Sequence, residues 1–103
     1  MKTLDMPNKN KLIDIMHRNQ IEFAALFGSR AQGMEKKDSD YDILIEFSPS
    51  ARVGLFKYQA IENEVSSMLG GKVDLVTTGG IDKYIKDEVF KTMKVIYDNR
   101  SNK

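Results

Sequence analysis

Hydrophobic and polar residues recur along the first half of the chain in periods that predict one helix and two strands. Around residues 8–20 the apolar positions are spaced as on one side of an amphipathic helix. Residues 21–27 are apolar at almost every position, which predicts a strand covered on both faces. Residues 41–47 predict a second strand, which Pro49 ends because proline cannot donate to a ladder.

The second half of the chain predicts a helix, a strand and a final helix. The pattern places the first of these helices at residues 53–69, ended by Gly70 and Gly71, and the strand at residues 72–77. A strand, a helix and another strand should form a parallel pair through a right-handed crossover. The final helix, residues 81–98, is predicted from the apolar stripe Ile85, Val89, Met93 and Ile96. The expected fold is α/β (α+β), a small mixed β-sheet flanked by helices.

Composition narrows the class of protein without indicating its chemistry. A chain of 103 residues predicts a single domain, residues 1–103, with one core. Hydrophobic residues at 41% and charged residues at 30% are typical of a globular protein. The net charge of +1 argues against a broad nucleic-acid-binding surface. Neither a signal-peptide core nor a membrane-spanning run is visible, so we expect a cytoplasmic protein without a membrane partner.

Three aspartates are predicted to meet at one edge of the sheet. Asp40 and Asp42 occupy alternate positions at the start of the second strand, and Asp74 lies near the start of the third. Since the chain has no cysteine and a single histidine, oxygen ligands are what remain for a metal. Carboxylates suit Mg²⁺, and alternate aspartates can bridge two ions that orient a nucleoside triphosphate for in-line attack. These three residues are the predicted catalytic and metal-binding residues.

The loop before the second strand is the predicted phosphate site. Gly28 ends the first strand and lets a phosphate approach the backbone, while the Ser29 hydroxyl can donate a hydrogen bond. Residues 29–33 are expected to form a short helix whose N-terminus favours an anion. Arg30, Lys36 and Lys37 add positive charge nearby, although loop cations are also typical of a solvated surface.

Two motifs carry a resemblance to a known family. The run Gly28-Ser29-Arg30-Ala31-Gln32-Gly33, then Ser39-Asp40-Tyr41-Asp42-Ile43-Leu44, resembles the signature of the DNA polymerase beta-like nucleotidyltransferase superfamily in its minimal form. The third aspartate stands in Lys72-Val73-Asp74-Leu75-Val76. The resemblance covers most of the chain and implies a palm-like nucleotidyltransferase fold. It also implies that Asp40 and Asp42 bind both metals, that Asp74 binds the catalytic metal, and that Gly28, Ser29 and Arg30 bind nucleotide.

The resemblance implies a specific role as well. Similar stand-alone proteins, the MntA-type antitoxins of HEPN/MNT pairs, neutralise a small helical HEPN-type ribonuclease toxin, in known cases by transferring AMP to a tyrosine. The expected cofactors are therefore two Mg²⁺ ions, with ATP as substrate. Many minimal members carry an arginine where this chain has Gln32, which removes a cation from the expected phosphate site.

Other functions stay open at the level of sequence. The chain can neutralise a partner by occlusion without catalysis, or transfer a nucleotide to a small molecule or an RNA end. The near-neutral charge disfavours RNA, because neutralising phosphates needs a basic surface. Crowded aspartates are costly without a cation, and this favours catalysis over occlusion.

Overall fold

The computed structural model describes residues 8–34, 36 and 40–100, which form a sheet with helices on both faces. Within this part of the chain, the helices are α1 (Lys9–Arg18), α2 (Leu55–Leu69) and α3 (Lys83–Thr92), and the strands are β1 (Ile21–Phe27), β2 (Tyr41–Phe47), β3 (Val73–Thr77) and β4 (Lys94–Asp98). A single 3₁₀ turn, Thr78–Gly80, follows β3. No helix among the described residues is long and apolar enough to cross a lipid bilayer.

The strands form one mixed sheet in the order β3-β2-β1-β4. β1 pairs antiparallel with both β2 and β4. β2 and β3, which α2 connects along the chain, pair in parallel. The predicted mixed sheet flanked by helices is confirmed, and so is the parallel crossover through α2. Gly70 ends that helix with φ at 73°, a conformation that glycine adopts at little cost.

Strand alternation divides the core between the two faces of the sheet. On what we call the two-helix face, α1 and α2 cover a large buried cluster that includes Leu12, Ile43 and Val65. On the one-helix face, α3 contributes Val89 to a smaller cluster with Phe23 and three other residues, Ala25, Leu44 and Val95. Because alternate residues of a strand point to opposite faces, β2 supplies both clusters.

The predicted final helix is wrong in its second half. α3 ends at Thr92, and residues that continue its apolar spacing belong to β4. Met93 is extended, with φ at −62° and ψ at 152°, and Ile96 is buried in the two-helix cluster. The physical reason is that β1 needs a second hydrogen-bonding neighbour, and pairing with β4 supplies it. This tertiary requirement overrides the helical period of the local sequence.

Two apolar residues of the helix predicted at residues 53–69 are also placed differently. Helical spacing puts Phe56 and Ala60 on the buried side, but α2 begins at Leu55, Phe56 is 92% exposed and Ala60 is exposed too. The helix packs through Ile61 and Val65 instead, with Tyr58 partly buried beside them. The first turn of α2 therefore lies beyond the sheet and contributes little to the core.

Candidate active site

Asp42 and Asp74 are direct neighbours on two parallel strands. In the β2–β3 register Asp42 stands opposite Asp74, and in the β1–β2 register it stands opposite Phe27. Since Ile43 and Leu75 point into the two-helix cluster, both carboxylates point to the one-helix face. The predicted meeting of these two residues at one edge is confirmed, while their roles stay predictions.

The three aspartates also interact through their charges. Burial raises the pKa of Asp42 above its ordinary value, and the neighbouring Asp74 and then Asp40 raise it further. Both Asp40 and Asp74 are exposed, whereas Asp42 is partly buried. The structure thus places the other two predicted carboxylates near enough to Asp42 for their charges to disfavour its ionised form.

Gly28 packs directly against Asp42. Its φ is 75°, in the region that favours glycine, and a Cβ on this residue would overlap with Asp42 Oδ2 and lie 3.2 Å from Asp42 Cγ. The backbone at Gly28 therefore forms one wall of the space that holds the Asp42 carboxylate. Any side chain at this position would push that carboxylate aside.

Residues 29–33 form a hydrogen-bonded turn rather than the expected short helix. The Ser29 carbonyl accepts from the backbone N–H groups of Gln32 at 3.2 Å and of Met34 at 2.9 Å. Gly33 closes the turn with φ at 70°, which a continuing helix does not allow. Gln32, which replaces the arginine of many minimal members, donates from Nε2 to the Gly28 carbonyl at 3.4 Å. It thus helps to close the turn.

The structure places Arg30 beside Tyr41 rather than among the carboxylates. The Arg30 guanidinium lies 3.9 Å from the centre of the Tyr41 ring, a cation–π geometry. Tyr41 packs against the two-helix cluster, so its side chain points away from the face that carries Asp42. A nucleotide contact by Arg30 stays a prediction. Of the two predicted loop lysines, Lys36 is exposed and Lys37 lies outside the described residues.

The chemistry of the donor set suits Mg²⁺. In the arrangement seen here, the described residues contain no group of three His, Cys, Asp or Glu side chains drawn together closely enough to hold a metal ion. Mg²⁺ commonly takes one or two protein carboxylates together with substrate phosphates, so it does not require such a cage. A divalent cation would also offset the repulsion from Asp74 and Asp40, which adds to burial in raising the pKa of Asp42.

Two residues that contact the strand of Asp74 were not predicted from the sequence. Tyr58 and Glu62 of α2 form hydrogen bonds with the backbone of Leu75, the residue after Asp74. They are one turn apart on the helix that precedes β3, and that spacing is the only sequence signal they give. Glu46 of β2 accepts from the Thr78 hydroxyl at 3.1 Å.

The family is shown by comparison with known proteins. The family model described as Polymerase beta, Nucleotidyltransferase matches residues 10–102. The chain therefore belongs to this family, and its enzymatic class is nucleotidyltransferase. The observed sheet and the paired carboxylates agree with that membership.

Relatives from archaea share much of the sequence. A candidate protein adenylyltransferase of Methanocaldococcus jannaschii is 33% identical over 81 residues, covering 79% of this chain and 85% of the relative. The protein adenylyltransferase MntA of Thermococcus cleftensis is 33% identical over 86 residues, covering 82% of this chain and 81% of the relative. This chain is thus similar over most of its length to proteins that are named for adenylyl transfer.

Solved structures share the fold at lower identity. A toxin–antitoxin crystal structure with AMP-PNP superposes with a TM-score of 0.74 at 24% identity, over 90% of this chain and 75% of that chain. A complex of a tri-AMPylated HEPN toxin with its MNT antitoxin, from Shewanella oneidensis, gives a TM-score of 0.65 at 22% identity. That match covers 88% of this chain and 70% of the other. At these identities the likeness establishes the fold.

Proposed function

We propose that this protein is a Mg²⁺-dependent adenylyltransferase that transfers AMP from ATP to a tyrosine hydroxyl of a partner HEPN-type toxin and thereby acts as its antitoxin. The observation that carries the proposal is the Asp42–Asp74 pair, which lies beside the Gly28 turn on the one-helix face of the sheet. The relatives named protein adenylyltransferase and the AMPylated toxin complex support the choice of AMP and of the acceptor.

In the proposed reaction, an acceptor hydroxyl oxygen forms a bond to the α-phosphorus of ATP. The bond from that phosphorus to the bridging oxygen breaks, pyrophosphate leaves, and the hydroxyl proton passes to water or a carboxylate. Bound Mg²⁺ ions would supply positive charge to the triphosphate and to the attacking oxygen. The chain's own part is to hold its carboxylates in one orientation.

Each site residue has a defined role in this proposal. Asp40 and Asp42 would hold two Mg²⁺ ions and Asp74 would hold the catalytic one. Asp42 and Asp74 stand opposite each other on β2 and β3, and Asp40 lies just before β2, near enough for its charge to act on Asp42. The turn that starts at Gly28 and Ser29 would receive the triphosphate through its backbone N–H groups. Arg30 would have to leave the Tyr41 ring, where the structure places it, to contact a nucleotide beside Asp42.

The direct test is transfer of radiolabelled AMP from ATP to the co-purified partner in Mg²⁺. Asp42→Asn keeps the size of the side chain but removes a charged ligand, and we expect transfer to fall at least about 100-fold. Asp14→Asn is the matched control, since Asp14 lies on α1 and pairs with Arg18 on an exposed surface. Equal transfer by wild type and Asp42→Asn would rule out this active site.

A second arm separates catalysis from neutralisation by occlusion. The double variant Asp40→Ala/Asp42→Ala should still bind the partner while losing its inhibition of the partner's ribonuclease activity. Binding is measured by co-purification and inhibition by RNA cleavage in the same preparation. Full inhibition by a variant that transfers no AMP would favour occlusion.

A further inference from the structure

Among the residues that the structure describes, the strand that carries Asp74 is an edge strand, whose outer backbone groups have no neighbouring strand. In the order β3-β2-β1-β4 of these described strands, β3 pairs with β2 alone. Edge strands open more readily than central ones, because water competes for their outer N–H and C=O groups. Asp42, on the central strand β2, does not share this weakness, so the position of Asp74 needs a further constraint.

Two side chains of α2 supply that constraint at the residue after Asp74. The Tyr58 hydroxyl donates to the Leu75 carbonyl at 2.5 Å. Glu62 Oε2 accepts from the Leu75 N–H at 3.2 Å. Leu75 therefore has both of its outward backbone groups held by the helix rather than by water, and its side chain is buried in the two-helix cluster.

The hydrogen bond that Glu62 accepts acts on Asp74 through the peptide group that joins Asp74 to Leu75. The Leu75 N–H belongs to the peptide group that starts at the Asp74 carbonyl carbon, so fixing this group fixes ψ of Asp74. With ψ fixed, the Cα–Cβ bond of Asp74 keeps its direction toward Asp42, its partner in the register. The bond from Tyr58 fixes the following peptide in the same way.

The Tyr58 hydroxyl keeps the proton that it donates to the Leu75 carbonyl. Burial raises its pKa above the ordinary tyrosine value, and Glu62 and then Asp74 raise it further. The hydroxyl therefore remains protonated at neutral pH. Glu62 is held in turn by the Gln59 side chain, whose Nε2 donates to its other oxygen at 3.2 Å.

We propose that Tyr58 and Glu62 are positioning residues that fix the Asp74 carboxylate for metal binding, acting through the backbone of Leu75. The proposal rests on the metal-dependent function proposed above and adds to it two residues outside the sequence motif. A displacement of about 1 Å in a reacting group can cost about 100-fold in rate, so an edge strand that opens would impair the site.

The test measures Mn²⁺ binding to the full-length chain by electron paramagnetic resonance, without ATP or partner. Tyr58→Phe and Glu62→Ala each remove one bond to Leu75, and we expect Mn²⁺ affinity to fall about 10-fold in each, as when outer partners of metal ligands are lost. Glu62→Gln keeps an acceptor oxygen and should restore most of the affinity. Tyr97→Phe is the control, because Tyr97 lies on β4 at the opposite edge.

A second readout separates positioning from general loss of stability. Paramagnetic broadening by Mn²⁺ should weaken at the Asp74 amide more than at the Asp42 amide in Tyr58→Phe and Glu62→Ala. Unchanged Mn²⁺ affinity in both variants, or equal weakening at both amides, would overturn the positioning role. Failure of the wild type itself to bind Mn²⁺ is a different result, which would overturn the metal site and this proposal with it.

Discussion

The two faces of the four-stranded sheet of the described residues have different roles. The two-helix face buries side chains from α1, α2 and all four strands in a continuous apolar cluster. The one-helix face has a smaller apolar cluster under α3 and leaves Asp42 and Asp74 beyond it. The contrast shows how a short chain obtains both stability and chemistry from the same strands, because alternate residues of β2 serve opposite faces.

The largest expected effect is on the close contact between Gly28 and Asp42. Gly28→Ala should lower AMP transfer at least about 100-fold, because the new Cβ displaces the Asp42 carboxylate. Gly33→Ala is the matched control, since Gly33 has a similar φ of 70° but open space where its Cβ would be. Both variants should lose about 1 kcal/mol of stability through backbone strain, measured by urea unfolding. Similar transfer by the two would show that strain, rather than the contact, matters.

A matched valine pair compares how much each face contributes to stability. Val65→Ala on the two-helix face should cost about 2–3 kcal/mol of unfolding free energy, while Val89→Ala on the one-helix face should cost about 1 kcal/mol. Both residues are buried and helical, so the change in helix propensity cancels. Equal losses in chemical denaturation would contradict the proposed division between the faces.

The Asp42 carboxylate should make the folded protein less stable as pH rises. Folding raises the pKa of Asp42, so between its unfolded and folded pKa values the folded chain binds more protons, and stability falls as pH increases. Asp42→Asn removes this loss and should stabilise the metal-free protein at pH 7 by about 0.5 kcal/mol, with a smaller gain near pH 4. Urea unfolding between pH 4 and pH 7 measures the difference in unfolding free energy between Asp42→Asn and the wild type.

Asp98 provides a control of opposite sign for that experiment. Its hydrogen bond from Arg100 lowers its pKa, so its contribution is present above the unfolded pKa and is lost as pH falls. Asp98→Asn should therefore destabilise the protein at neutral pH, and its deficit should shrink toward pH 4. A gain in stability at pH 7 for both variants would point to net charge rather than to these local contacts.

The smallest effect is expected on the outer surface of the helices that cover the two-helix face. Arg18 of α1 pairs with Asp14 on the same helix and with Glu64 on α2, each at 3.0 Å, but all three side chains are exposed. Arg18→Gln should lower Tm by less than about 2 °C, and the difference should vanish in 1 M salt. A larger, salt-resistant loss would mean that these two ion pairs contribute more than exposed pairs usually do.

The parts of the fold that could be predicted from the sequence are those with a local pattern of apolar and polar residues. Alternation in β2 predicts which residues face each side, and the parallel crossover predicts that Asp74 lies near Asp42. β4 was missed because Val89, Met93 and Ile96 keep a helical spacing across the end of α3. The signal that pointed to β4 was β1 itself, since a strand apolar on both faces needs neighbours on both edges.

The parts of the site that were not predictable depend on distant contacts. The turn at residues 29–33 is set by hydrogen bonds to the Ser29 carbonyl and by the conformation of Gly33, which favours a turn over a helix. The position of Arg30 depends on Tyr41, eleven residues later, and is not visible as a period. Tyr58 and Glu62 reach Leu75 only because α2 packs along the outer edge of β3.

The pairing of β1 with β4 also sets the order in which the sheet is completed during synthesis. Leu26 pairs with Lys94, 68 positions later in the chain. At typical translation rates of about 5–20 residues per second, β1 waits roughly 3–14 s for this neighbour, far longer than a hairpin takes to form. A nascent chain therefore leaves the backbone N–H and C=O groups of β1 on the β4 side unpaired for seconds, during which other unfolded chains compete with β4 for them.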